Sequence, residues 1–126
     1  MITVNTTNLI FHLRPATKNR IIRILPILCN RAMAGISITY GELAIDDSIL
    51  PNKYGYTLGR LAAILESLDD NGQRVPPLTA ICVKRNGSPG ASVVNVLHGE
   101  SWQDACERVF AYDKWQQVQQ ELLNVL

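Results

Sequence analysis

The sequence lacks a strong charge of either sign, since its 126 residues carry a formal net charge of +1. This balance excludes a strong whole-protein field for nucleic acid but permits a local basic surface. No apolar run is long enough to span a membrane. The opening residues, MITVNTTNLIFHLRP, lack the basic start and apolar core of a secretory signal. Three cysteines without paired spacing indicate a reducing compartment. We therefore expect a cytoplasmic protein with no membrane partner.

Complete metal-binding and catalytic motifs are also missing. His12 and His98 are the two histidines, and neither has a Cys, Asp or His at ligand spacing. The pairs Asp46-Asp47 and Asp69-Asp70 are typical of loop or helix-end charges, and no Glu-x-Lys companion follows them. The segment His98-Gly99-Glu100 indicates a loop before a helix. We therefore predict no catalytic residue, no metal site and no cofactor. A small enzyme assembled from residues distant in sequence is kept as an alternative.

The composition is that of one globular domain, residues 1–126. Hydrophobic residues make up 47% of the chain and charged residues 18%, which excludes a disordered protein. Helical and β-type segments alternate, so we predict the α+β class. The predicted parts are a winged-helix-like core over residues 15–97 and a C-terminal helical segment over residues 101–125.

The segment from residue 36 to 68 organises the predicted core. Thr39 to Glu42 form a Thr-x-x-Glu capping box, which predicts a short helix from Tyr40 after an extended segment. A second helix follows, because leucines recur at three- and four-residue steps from Leu58 to Leu68. Thr57 is its predicted N-cap and Gly72 its C-terminal stop. Two short helices set almost end to end predict a helix-turn-helix or winged-helix arrangement.

The flanking segments complete this prediction. Residues 1–14 are rich in β-type side chains and predict an edge strand or an ordered arm. Residues 16–34 have a helical apolar spacing interrupted by Pro26, which predicts a kinked helix or a restart there, with Gly35 as its end. The runs 78–84 and 91–97 are β-prone and surround a polar turn, so they predict a β-hairpin wing.

The C-terminal segment carries two helix-start signals. Ser101 to Asp104 resemble a capping box, and Asp113 to Gln116 give a second start signal. The segment is therefore predicted to be two helices broken near Tyr112 or one long helix.

The motif Thr39-Tyr40-Gly41-Glu42-Leu43-Ala44 supports a family resemblance. Together with Gly59-Arg60 and the segment Pro77 to Gly90, it resembles the winged-helix C-terminal domain of the O6-alkylguanine-DNA alkyltransferases and the alkyltransferase-like proteins. The resemblance covers roughly residues 21–90 and implies a DNA-binding scaffold. It departs from the family at the Pro-Cys-His-Arg active site, because Cys82 here has no preceding Pro and no following His. The alkyl-transfer chemistry is therefore not expected, since nothing adjacent activates this thiol.

Three hypotheses follow for function. The first is a non-enzymatic winged-helix-like protein that binds double-stranded DNA, since phosphate contacts need only a local basic surface. The second is a protein-binding module such as an inhibitor, immunity or adaptor protein. The third is a small nuclease-type enzyme. For the first hypothesis the candidate nucleic-acid-binding residues are Tyr40, Lys53, Tyr54, Arg60, Lys84 and Arg85.

Overall fold

A computed structural model describes residues 2–4, 7–47, 54–90 and 93–126. Its helices are α1 Thr7–Phe11, α2 Pro15–Ala34, α3 Tyr40–Asp47, α4 Tyr54–Glu66, α5 Val94–Leu97, α6 Trp102–Ala111 and α7 Trp115–Val125. Its strands are β1 Ile2–Val4, β2 Ile38–Thr39, β3 Leu68–Asp70, β4 Gln73–Arg74 and β5 Cys82–Val83, and a 3-10 helix covers Leu78–Ile81. The chain is therefore α+β, as predicted, with helix predominating.

The helix α2 is the centre of the core. It packs against α3, α4, α6, α7 and the 3-10 helix. It begins at Pro15, where a missing N–H costs nothing. It ends at Gly35 in the left-handed conformation (φ 72°), and the Gly35 and Ile36 N–H groups donate to the carbonyls of Ala32 and Arg31. Pro26 lies inside one continuous helix, so the predicted restart is wrong.

Two small sheets flank the helices. In the first, β3 lies between β1 and β4, and both pairings are antiparallel. The N-terminal segment therefore supplies an edge strand, one of the two predicted alternatives. In the second sheet β2 and β5 are parallel, with Ile38 opposite Cys82 and Thr39 opposite Val83.

The prediction for the ends of the second helix is wrong. The helix α4 already begins at Tyr54, and Thr57 is a fully buried residue inside it. It ends at Glu66, well before Gly72. Asn71 (φ 52°) and Gly72 (φ 90°) instead form the two-residue turn between β3 and β4. Positive φ at both positions is what a type I′ hairpin turn requires.

The predicted β-hairpin wing is also wrong. The first run forms the 3-10 helix and the two-residue strand β5, and the second run is helical at α5. Every residue from 75 to 83 is buried, so this run does not alternate between a core face and a solvent face. Val93 and Val96 are buried while Val94 is 69% exposed, which is helical spacing. Burial in the core therefore overrides the β-type composition of the first run, and the second run buries one face of a short helix.

The C-terminal segment is two helices. The Ser101 hydroxyl accepts from the Asp104 N–H at 3.1 Å, which confirms the first start signal. The second start differs from the prediction, because the residue before α7 is Lys114 and it makes no side-chain capping bond. The Trp115 indole N–H donates to the Val109 carbonyl at 2.7 Å and joins the two helices inside the core. Among the described helices, none combines the length and the hydropathy needed to cross a membrane.

Candidate nucleic-acid interface

The start of α3 is held by the predicted capping box. The Thr39 hydroxyl accepts from the Glu42 N–H, and a Glu42 carboxylate oxygen accepts from the Thr39 N–H, both at 3.1 Å. Arg31 of α2 reaches the same carboxylate at 3.2 Å and also donates to the Ser37 carbonyl at 2.9 Å. The hydrogen bond from the Thr39 N–H, followed by that from Arg31, lowers the pKa of Glu42. The end of α2 therefore sets the position of α3.

A buried hydrogen bond joins α3 to α4. The Tyr54 hydroxyl donates to the Leu43 carbonyl at 3.2 Å, and the Tyr54 side chain is fully buried. A side chain in this position cannot touch DNA, so Tyr54 is removed from the predicted interface. Its role is to hold the two helices against each other.

The outer face of α4 is accessible to solvent. Its exposed or half-exposed positions include Gly55, Tyr56, Gly59, Arg60 and Ala63. Tyr56 is 63% exposed, and a Cβ added at Gly55 or Gly59 would meet nothing within 4 Å. The helix backbone is therefore accessible between an aromatic and a cationic side chain. Such a surface can lie close to a groove or a partner.

Lys84 and Arg85 lie on a compact turn that follows β5. The Lys84 N–H donates to the Ser88 carbonyl at 2.8 Å, and the Gly87 N–H donates back to the Lys84 carbonyl at 2.9 Å. Gly87 has a φ of 85°, which favours glycine. Both cationic side chains are exposed. This turn stands where the longer wing was predicted.

Tyr40 is half-buried against the end of that turn. A Cβ built on Gly90 would overlap the Tyr40 hydroxyl, so only glycine fits beneath the ring in this arrangement. Burial raises the pKa of Tyr40. Because β2 and β5 are parallel, their carboxyl ends bring Tyr40 and Lys84 to the same edge. Tyr40 therefore shapes this edge and offers only part of its surface to a ligand.

The cations of the molecule divide into two groups. Several are engaged by carboxylates: Arg31 with Glu42, Arg108 with Glu100, and Lys114 with Asp70. Within the described ranges, by contrast, Arg60, Lys84 and Arg85 make no ion pair. The structure thus leaves three of the predicted DNA-binding cations available. Lys53, also predicted, lies outside the described residues.

Cys82 occupies the place of the alkyltransferase nucleophile in the resemblance. It is fully buried, and burial raises the pKa of its thiol to about 12. An activated thiolate needs the opposite shift. The environment of Cys82 is therefore that of a core residue.

One polar cluster was missed by the sequence analysis. His98 Nε2 lies 2.5 Å from Glu66 Oε1 and 3.1 Å from an Arg74 guanidinium nitrogen. These side chains and Arg108 border a cleft of about 50 Å³. His98 has a φ of 48°, which is unusual outside glycine. The turn before α6 was predicted at this position, but Glu66 is 32 positions away, and no local pattern points to it. Among the described residues, no group of three or more potential ligands could hold a metal ion.

Comparison with known proteins gives no further information about the function of these residues. No protein-family model, no curated protein and no solved structure matches this chain. The resemblance to the alkyltransferase domain therefore depends on the sequence motifs alone.

Proposed function

We propose that this protein is a non-enzymatic, winged-helix-like protein that binds double-stranded DNA through α4 and the turn at residues 84–90. The observation that carries the proposal is the set of exposed or half-exposed cations Arg60, Lys84 and Arg85, which have no ion-pair partner in the described part of the chain. The 3-10 helix packs against α4 and leads through β5 into the turn. The cationic positions therefore belong to neighbouring elements.

The helix pair supplies the frame for this contact. The helix α3 is fixed by the capping box and by Arg31, and Tyr54 ties α4 to it. The open face of α4 then presents Tyr56 and Arg60. Contacts from cations to phosphates fix position on the duplex, and the exposed aromatic side chain is available for a base or sugar. The unpaired cysteines suit a reducing compartment, so we place this function in the cytoplasm.

The test is fluorescence anisotropy with labelled duplex and single-stranded DNA at about 50 and about 200 mM salt, because counterion release makes phosphate binding fall steeply with salt. The variant Arg60→Ala/Lys84→Ala/Arg85→Ala should weaken duplex binding. It should also reduce the slope of log affinity against log salt by about one unit for each cation that no longer binds a phosphate.

The matched control removes the same charge elsewhere. Arg14→Ala/Lys18→Ala/Arg20→Ala changes three cations at the start of α2 and should leave most of the duplex affinity. Equal losses of affinity in the two triple variants would mean that only overall charge matters. Unchanged binding by the folded α4 and turn variant would reject this interface.

A second candidate function, a small nuclease-type enzyme, is favoured by the cleft that joins His98 to Glu66. A carboxylate beside an imidazole can orient it for proton transfer, and Arg74 could stabilise phosphate charge. Hydrolysis of fluorescent DNA and RNA strands, with and without a chelator, tests it. If the cleft is catalytic, both His98→Gln and Glu66→Gln should abolish turnover. An absence of turnover by the native protein would reject the candidate.

A further inference from the structure

An apolar groove of about 910 Å³ lies beside the first half of α2. Pro15, Lys18, Asn19 and Ile22 form one wall. Their spacing of three and four residues places them on one helix face, over two turns or about 10 Å. The other walls come from β1, α1, the α1–α2 connection and residues 125–126, and their apolar side chains are Val4, Ile10, Phe11, Leu13, Val125 and Leu126. The groove is therefore bordered mainly by helices.

Two of the apolar side chains that line the groove are unusually exposed to solvent. Phe11 is 80% exposed and Val125 is 46% exposed. A small ligand in a preformed pocket is normally buried between the walls of that pocket. Such a ligand would leave the outer side chains of Phe11 and Val125 exposed to water. An occupant that covers them must be larger and must itself present an apolar surface.

The charge beside the groove favours some larger occupants over others. Lys18 is the one charged side chain among the lining residues. Arg14 lies one helical turn before it and is exposed. In the described part of the chain neither cation has an ion-pair partner. An occupant with carboxylates beside its apolar surface would complement this edge.

We propose that this groove binds an amphipathic α-helix of another protein, which carries acidic side chains beside its apolar stripe. Helices pack with their side chains between those of neighbouring helices at 8–10 Å, and the two-turn wall of α2 matches anchors at i, i+3, i+4 and i+7. A second copy of this chain fits less well. In a two-fold interface the same patch faces itself, which would bring Lys18 and Arg14 towards their own copies.

This site is distinct from the proposed DNA interface. Its lining includes no residue of α4 or of the turn at residues 84–90, although α1, which contributes Ile10 and Phe11, packs against α4. The two proposals can therefore fail separately, and the helix-binding test needs no DNA.

The experiment uses two labelled helical peptides of about 18 residues, a length at which an alanine-rich helix is stable enough to form. Both carry leucines at i, i+3, i+4 and i+7. One has glutamates flanking the stripe and the other has lysines at the same positions. By anisotropy, the acidic peptide should bind the native protein at least tenfold more tightly than the basic one. Lys18→Glu should reverse this preference.

Two surface variants separate the groove from general stickiness. Phe11→Ser should weaken the acidic peptide at least tenfold, because it removes an exposed wall. Val94→Ser removes a side chain of similar exposure outside the lining and should leave binding unchanged. The proposal is overturned if neither peptide binds or if both bind equally. It is also overturned if sedimentation shows a dimer that Phe11→Ser dissociates, since a second copy would then be the occupant.

Discussion

The α3–α4 unit and the α6–α7 unit are fixed in different ways. Besides the ion pair of Glu42 with Arg31, the α3–α4 unit is anchored by backbone-directed contacts and packing: the capping box, the Tyr54 bond to the Leu43 carbonyl, and the packing of Tyr40 on Gly90. The α6–α7 unit is held partly by ion pairs at its surface. Arg108 binds both oxygens of Glu100 at 2.7 and 2.8 Å. Lys114 and the Tyr112 hydroxyl both donate to Asp70.

The difference shows which charged side chains have partners within the fold. In the C-terminal unit, cations and carboxylates are partners, and the pKa of Asp70 is lowered first by the Lys114 hydrogen bond and then by that of Tyr112. Around α4 and the turn, the side chains of Arg60, Lys84 and Arg85 make no ion pair within the described part of the chain. Charges that do not stabilise the fold are the ones available to a ligand.

The largest expected effect tests the close packing beside α3. Gly90→Ala would place a Cβ against the Tyr40 hydroxyl and force a half-buried ring to move, which should lower the free energy of unfolding by about 1–3 kcal/mol. Urea denaturation measures it. Gly59→Ala is the control: its Cβ meets nothing within 4 Å, so it should stabilise α4 by about 0.5–1 kcal/mol. If both variants were equally stable, the contact with Tyr40 would not anchor this unit.

The next effect compares two threonines of the same unit by one substitution. Thr39→Val removes the hydroxyl that caps α3 and should cost about 1 kcal/mol. Thr57→Val replaces a buried hydroxyl that has no hydrogen-bond partner among the described residues, and should raise the free energy of unfolding by about 1 kcal/mol. Thermal or urea unfolding of both variants shows whether each substitution raises or lowers the free energy of unfolding. A decrease in stability at both positions would mean that the Thr57 hydroxyl has a partner in solution.

A smaller effect tests the charged contacts of the C-terminal unit through pH. The pKa of Asp70 is lower in the folded protein, so its contribution is complete above its unfolded pKa of about 3.9 and disappears as the pH falls through the folded value. Asp70→Asn should therefore flatten the loss of stability on acidification. Urea midpoints between about pH 5 and pH 2 measure this slope. The flattening should be partial, because the pKa values of Glu42 and Glu100 are also lowered. An unchanged slope would show that Lys114 does not engage Asp70 in solution.

The smallest expected effect is a free energy of unfolding that is almost unchanged. Lys84→Ala/Arg85→Ala should alter the free energy of unfolding by less than about 0.5 kcal/mol, as is usual for exposed side chains without partners. Lys114→Ala should lower it more, since Asp70 would be left without its main partner. A double variant at Lys84 and Arg85 that is less stable than Lys114→Ala would break the comparison of the two units.

Local signals predicted a large part of this fold. The capping box at Thr39, the stop at Gly35 and the cap at Ser101 are each decided by contacts within a few residues, and the structure confirms all three. A short motif specifies such features because both partners lie in the same turn of chain.

The errors came where distant packing decides the outcome. Residues 75–83 are buried throughout, and a fully buried run carries no alternation from which its conformation could be deduced. The same limit applies to the candidate site. Arg60, Lys84 and Arg85 are exposed or half-exposed at the predicted positions, whereas Tyr54 is buried and donates to a carbonyl of another helix, α3. The contact between Glu66 and His98 joins residues far apart in sequence and could not be deduced from spacing.

The parallel pair of β2 and β5 has a consequence for the order of folding. Along the sequence, α3, α4, the β3–β4 hairpin and the 3-10 helix all lie between β2 and β5. A long loop must therefore close before the two residues of β2 can pair with the two residues of β5. The hairpin turn at Asn71-Gly72, in contrast, closes almost at once along the chain. Loop-closure entropy delays distant pairings relative to local ones. We therefore expect the β2–β5 pair to form after the transition state, so that weakening it should speed unfolding more than it slows folding.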